Sequence, residues 1–255
     1  MAPALQNIAT FRFYGDLDVF LPLNHRGRER PYLFNAHPSV KDAIEAQGIP
    51  HPEVALILAN GEPVSFQYLV LPGDRFSVYP AFRTLPPASG GLARDPDKFR
   101  AVLDVNLGKL ARWLRLLGFD ALYQNDFDDA EVATISATEG RVALTRDRRL
   151  LHHKQIVHGY WVRADDPLEQ IVEIVTRYDL RNRIRPFHRC TACNGLIGPV
   201  DKEEVWDLLE PKTKRYYDTF FRCVNCRKIY WRGSHHAGIL KKMRLSGILN
   251  EERRK

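Results

Sequence analysis

The strongest constraint on this chain is an alternation of short apolar runs with helical patterns between Phe99 and Val175. Ala101, Val102 and Leu103 read as a buried strand that stops on Asp104. Leu107, Leu110, Ala111, Leu114 and Leu117 then recur at helical spacing up to Gly118, and Lys109, Arg112 and Arg115 share another face. The layout repeats. Ala121 to Tyr123 leads to the acidic run Asp126, Asp128, Asp129 and Glu131, at the start of a helix ending near Gly140. Val142 to Leu144 runs into Thr145, Arg146 and Asp147, after which RRLL opens another helix. Ile156 to Val162 makes a fourth strand leading to Asp165, and Pro167 begins a helix with Leu168, Ile171, Val172 and Val175 on one side. Such alternation implies an α/β fold, a parallel sheet joined by right-handed crossovers and flanked by helices. The carboxyl ends of parallel strands lie on one edge, so Asp104, Asp129, Asp147 and Asp165 are expected to converge there.

Converging carboxylates repel unless a cation binds them. Acids without nearby Cys or His favour a hard, oxygen-seeking ion, which makes Mg²⁺ or Mn²⁺ the expected cofactor. Such ions activate water and stabilise charge on a phosphodiester in transit, which is nuclease chemistry. The competing explanation is capping, because Asp is favoured at helix N-termini and Asp128, Asp129, Asp147 and Asp166 all stand where helices begin. Asp166, followed by Pro167, is an ordinary cap. Asp104 ends a buried apolar strand and has the least structural excuse.

All four cysteines fall in two pairs, Cys190-x-x-Cys193 and Cys223-x-x-Cys226. Two such knuckles supply four thiolates for tetrahedral Zn²⁺, a closed and therefore structural site. Paired disulfides are the alternative, disfavoured if the chain works inside the cell.

The segments LDVNLGKLARWLRLLGFD, RVALTRDRRLL and CRKIYWRGSH together resemble the Mut-seven C-terminal RNase family, from Phe99 to about Leu245. The resemblance implies a PIN-like nuclease domain with a fused zinc ribbon and a metal-dependent ribonuclease activity. By position it places Asp104, Asp129 and Asp147 as metal-binding acids and Asp165 as a fourth catalytic acid. A PIN-like domain beside a zinc ribbon also resembles an endonuclease that matures small-subunit ribosomal RNA, which implies structured ribosomal or transfer RNA as substrate. Ahead of these, SVKDAIEAQGIP and LPGDRFSVYP are similar to a ubiquitin-like β-grasp of the sulfur-carrier type. Sulfur carriers end in a free Gly-Gly, whereas Gly90 and Gly91 lie mid-chain, so this domain is read as an interaction or RNA-docking module. Within it ATFRFYG and DVFLPL are expected to form two strands turning near Gly15 and Asp16, followed by a helix capped by Ser39. The expected organisation is a β-grasp domain at 1–84, a linker at 85–97, a PIN-like domain at 98–185, and a zinc ribbon with a basic C-terminal helix at 186–255.

The net charge of +7 is unevenly placed: from Arg183 onward 17 Lys and Arg stand against 8 Asp and Glu. A local basic excess is the footprint of a phosphate-backbone binder, so RNA is the expected partner. Arg112, Arg115, Arg146, Arg148 and Arg149 lie near the expected acidic edge, where guanidinium groups can hold phosphates, and Trp231, Arg232 and His235 follow the second knuckle, where aromatic rings and cations suit single-stranded RNA. No apolar run is long enough to cross a membrane, and a cytoplasmic location is the default. Two other functions fit the same residues: a non-catalytic RNA- or ribosome-binding protein that works through its ribbon, and an adaptor whose β-grasp domain engages the ribosome or another protein.

Overall fold

The computed structural model describes residues 7–80 and 99–249, apart from the side chains of Ser234 and His235. The expected linker at 85–97, with Gly90 and Gly91, lies outside the described residues. In chain order the strands are β1 (Asn7–Phe13), β2 (Arg30–Phe34), β3 (Val54–Ala59), β4 (Glu62–Pro63), β5 (Arg75–Pro80), β6 (Arg100–Leu103), β7 (Asp120–Leu122), β8 (Val142–Thr145), β9 (Gly159–Trp161), β10 (Ile197–Val200), β11 (Phe220–Cys223) and β12 (Ile229–Trp231). The helices are α1 (Val40–Glu45), α2 (Gly108–Leu116), α3 (Asp129–Glu139), α4 (Pro167–Arg177), α5 (Lys202–Val205), α6 (Pro211–Tyr216) and α7 (Ser234–Leu245). The architecture is mixed α/β, with parallel strands flanked by helices, an N-terminal ubiquitin-like domain and a C-terminal cluster of four cysteines. Among the described residues no helix is long and apolar enough to cross a membrane.

Two compact units make up the fold, and they do not follow chain order. One lies within Met1–Asp95 and Ala133–Trp161, the other within Pro96–Val132 and Val162–Lys255.

In the first unit β1 to β5 form a mixed sheet of order β2-β1-β5-β3-β4, in which β1 and β5 run parallel and the other pairs antiparallel. Alternation sets its inner face: Ala9, Phe11 and Phe13 on β1 and Phe76 and Val78 on β5 are buried, with Phe11 stacked on Phe76 at 4.5 Å. Val40, Ala43 and Ile44 of α1 join the same core. Ser39 caps α1 as its sequence suggests, its hydroxyl oxygen accepting from the Asp42 N–H. DVFLPL is not the second strand. Its first three residues close a 3-10 turn, Gly15–Phe20, whose buried residues Leu17 and Phe20, with Leu21, are spaced for a helical turn and not for a pleat. The strand paired with β1 begins later, at Arg30. Further along the chain, β8 and β9 pair in parallel, Thr145 opposite Trp161. RRLL gives only a 3-10 turn, Leu150–His152, because the chain turns extended at His153. β9 is shorter than Ile156 to Val162, since Ile156 closes a turn onto the His153 carbonyl.

In the second unit β6 and β7 pair in parallel across α2, which also packs on α4. Leu110, Ala111, Leu114 and Leu117 are buried, the face their spacing predicts. Gly118, at φ 94°, ends α2 where any Cβ would lie 2.4 Å from the Arg185 carbonyl oxygen. β10, β11 and β12 form an antiparallel ribbon over Val205, Leu209 and Phe220.

Candidate metal centre and active site

The two cysteine knuckles are built alike. In each, the first Cys N–H bonds a carbonyl five residues on, at Gly195 or Lys228, and its carbonyl accepts from the residue after the second Cys, Asn194 or Arg227. Asn194 and Arg227 take left-handed backbones, φ 68° and 63°. The four sulfurs lie within 4.8 Å of one another, the only group of three or more such ligands among the described residues. Cys190 and Cys226 approach to 3.5 Å and Cys193 and Cys223 to 3.4 Å, far beyond the ~2.05 Å of a disulfide. Burial pushes the Cys190 thiol up, but hydrogen bonds from the Tyr230 hydroxyl and the knuckle N–H groups outweigh it and bring it down to about 6. Cys226 moves the other way, to about 12: burial and the three neighbouring sulfurs overcome its hydrogen bond to Lys228 N–H. Four thiolates this close need a cation, and four sulfur donors make a closed site that can hold a divalent metal.

The first knuckle is tied into the second unit by side chains. Arg115 is only 4 % exposed; its guanidinium donates to the carbonyls of Ala121, Tyr123, Thr191 and Ala192. Asn194 accepts from Ala121 N–H and donates to Asp120, which also meets Arg189 at 3.4 Å. Arg115, expected at RNA, therefore has its donors turned to the backbone of β7, of Tyr123 just after it, and of the knuckle.

The four expected acids stand in different settings. Asp104 follows β6 and is buried; its Oδ1 accepts from Asn106 N–H and so caps the turn Val105–Leu107. Asp128, not Asp129, caps α3: its carboxylate accepts from Glu131 N–H while Glu131 accepts from Asp128 N–H, a reciprocal capping box. Asp129 is exposed at the first position of the helix. Likewise Asp166 caps α4, accepting from Leu168 and Glu169 N–H, and Asp165 before it is exposed. The loop that carries Asp165 is pinned by Glu173, whose two oxygens accept from Arg163 and Ala164 N–H. Asp147 follows β8 in the other unit; its Oδ1 accepts from Arg149 N–H, and Thr145 Oγ1 accepts from its own N–H.

A family model described as the Mut7-C RNAse domain matches residues 99–243, more than half the chain, and one described as the Mut7-C ubiquitin matches residues 6–86. The chain belongs to the Mut7-C RNAse family. No curated protein and no solved structure gives a match.

In this Mut7-C chain the cations expected at RNA divide by setting. Arg112 is exposed on α2 and lines a cleft of about 740 Å³ with Lys109, Trp113, Leu168, Thr191 and Lys242. Arg149 is almost fully exposed, its Nε 3.8 Å from Asp147. Arg146 is half-buried, its carbonyl accepting from the Trp161 indole N–H. Trp231 is 39 % exposed on β12 beside Tyr217, and Arg232 after it is exposed. The His235 side chain lies outside the described residues, and the His236 ring stacks on Phe187 at 4.0 Å. Three residues carry interactions that no sequence pattern announced: Asn194, Glu53 and Trp161. Asn194 alone left a trace, since the residue after a second knuckle Cys must adopt a left-handed backbone that Asn tolerates.

Proposed function

We propose that this Mut7-C protein hydrolyses RNA phosphodiester bonds with a divalent ion, Mg²⁺ or Mn²⁺, held by Asp104, Asp129 and Asp147, with Asp165 as a fourth catalytic acid, and that Zn²⁺ fills the four-cysteine site. One observation carries the reading for two of the acids: Asp128 and Asp166 cap their own helices, while the adjacent Asp129 and Asp165 are not the caps; Asp104 caps the turn after β6 and is buried there. An oxygen-only donor set fits a hard divalent ion, which would supply Lewis-acid activation of water and charge stabilisation on the phosphate. The chain's own part is to hold carboxylates ionised and to orient the strand. Asp104 and Asp147 are steadied by backbone N–H groups at the ends of β6 and β8. Arg112 and Lys109 on α2, at the cleft beside Trp113, suit phosphates and an unpaired base. Trp231 and Arg232 suit the same strand at the ribbon, with His235 next in line. Structured ribosomal or transfer RNA is the proposed substrate, and the ribosome or a second protein the proposed partner of the ubiquitin-like domain.

The test is cleavage of labelled structured and unstructured RNAs in Mn²⁺, Mg²⁺ or EDTA by the wild type, Asp104→Asn and Asp147→Asn, with RNA binding and zinc content measured in parallel. Cutting that needs the metal and is lost in both variants, with binding and zinc retained, is the expected result. Tight binding without cutting by any form would favour a non-catalytic RNA-binding protein instead.

A further inference from the structure

We propose that the ubiquitin-like domain positions Asp147, acting through Trp161, so that it is part of the cleavage apparatus and not only a docking module. The inference rests on the reading of Asp147 as a metal-binding acid. Its evidence is a set of contacts inside the first unit, where the ubiquitin-like domain and Ala133–Trp161 are packed as one body.

Both chain neighbours of Asp147 are held by one indole. Trp161 Nε1 donates to the Arg146 carbonyl at 3.2 Å, and the Arg148 guanidinium lies 3.8 Å from the centre of the Trp161 ring. Trp161 is also the register partner of Thr145, whose hydroxyl oxygen accepts from Asp147 N–H at 2.8 Å. The segment that carries Asp147 is thus fixed on both sides and at its root by one residue of the neighbouring strand.

Trp161 is in turn fixed by the ubiquitin-like domain. Glu53, fully buried in the turn His51–Glu53, accepts from Trp161 N–H at 2.7 Å. Phe20 lies 5.5 Å from the Trp161 ring, and its own ring is 5.3 Å from Arg148, so Arg148 reaches two aromatic faces from different domains. β9 also runs close to that turn: a Cβ on Gly159 would stand 3.2 Å from the Pro52 Cβ, so a side chain there would press on Pro52. A buried carboxylate is costly unless its hydrogen bonds are made, so Glu53 ties its domain to the β9 backbone and not to solvent. Glu53, Phe20, Trp161 and Arg148 act here as positioning residues; Arg148, expected at the phosphates, lies over the Phe20 and Trp161 rings.

The experiment uses the full chain, with Phe20→Ala, Glu53→Ala, Glu53→Gln and Arg148→Gln. Arg148 is exposed, so Arg148→Gln keeps the fold if the core substitution does not. Amide hydrogen exchange is read over Thr145–Arg149 and over the cysteine ribbon, and RNA cleavage is followed against both RNA and Mn²⁺ concentration. Phe20→Ala and Glu53→Ala should raise exchange at Arg146 to Arg149 and leave the ribbon unchanged, and Glu53→Gln, which keeps an acceptor, should restore the pattern. Arg148→Gln should lower kcat roughly three- to tenfold and raise the Mn²⁺ needed for half-maximal rate, with KM for RNA little changed. Unchanged exchange in Phe20→Ala and Glu53→Ala, or wild-type kcat and Mn²⁺ dependence in Arg148→Gln, overturns the proposal. A wild type that binds RNA and never cuts overturns the functional reading itself, and the exchange data keep the two failures apart.

Discussion

The appended modules at the two ends of the chain grip the nuclease segments with different chemistry. In the second unit the first cysteine knuckle is fastened by polar contacts: Arg115 donates to four carbonyls, Asn194 donates to Asp120 and accepts from Ala121 N–H, and Arg189 pairs with Asp120. In the first unit the ubiquitin-like domain meets β9 through packed rings and one buried carboxylate, Phe20 and Glu53 against Trp161. The difference follows from size. A ribbon whose core is chiefly Val205, Leu209 and Phe220 has little apolar surface to spare, so polar struts hold it, together with the metal proposed for its four cysteines. Among the described residues the ubiquitin-like domain has seventeen buried in its core, enough to present an aromatic edge as well.

The largest effect expected of any perturbation is metal removal. Chelation, or Cys223→Ser, should unfold the ribbon and, through Arg115 and Asn194, raise hydrogen exchange in α2 and β7 while leaving β1 to β5 unchanged. Exchange mass spectrometry on the full chain would break the comparison if both units responded alike. Next comes Phe20→Ala, which should cost about 3 kcal/mol of stability in the first unit by opening a cavity against Trp161, measured by urea unfolding. Arg115→Ala should cost about 2–3 kcal/mol in the second unit by stranding buried carbonyls, and Arg115→Lys should recover little of it, since one ammonium group cannot serve four spread acceptors. The smallest effect is a pH dependence. Burial lowers the His51 pKa although Glu45, 2.6 Å from Nδ1, opposes it. A lowered pKa means that the unfolded chain binds the proton more readily. Stability in the first unit should therefore be full above the ordinary His pKa of about 6.5 and fall as pH drops below it, by about 1 kcal/mol or less; His51→Gln should flatten that slope.

Local patterns were legible in the sequence wherever local physics decides. The cysteine pairs, the buried face of α2 and the Ser39 cap follow from spacing a few residues long. DVFLPL misled because Phe20 and Leu21, with Leu17 just before the segment, sit in a run where alternation and helical spacing both fit, and the true partner strand begins at Arg30, well past its end. The basic stripe on α2 was visible, but not that Arg115 would turn inward, since its carbonyl partners at Thr191 and Ala192 lie 76 and 77 residues away. Glu53 and Trp161, 108 residues apart, carried no mark at all: a buried acid and an indole acquire their meaning only when the fold brings them together. Among the acids, Pro167 let the sequence name Asp166 as the cap of its helix, but between Asp128 and Asp129 the sequence could not say which one caps α3.

That last distinction offers the most direct test of the central claim. RNA cleavage in Mn²⁺ would be compared for Asp128→Asn and Asp129→Asn, with thermal unfolding of each. The account predicts that Asp129→Asn abolishes cutting with little change in stability. Asp128→Asn should keep cutting near the wild-type rate, and any loss should be of helix stability, about 1 kcal/mol or less because Asn also caps. Equal rates in both variants, or loss of cutting only with Asp128→Asn, would contradict it.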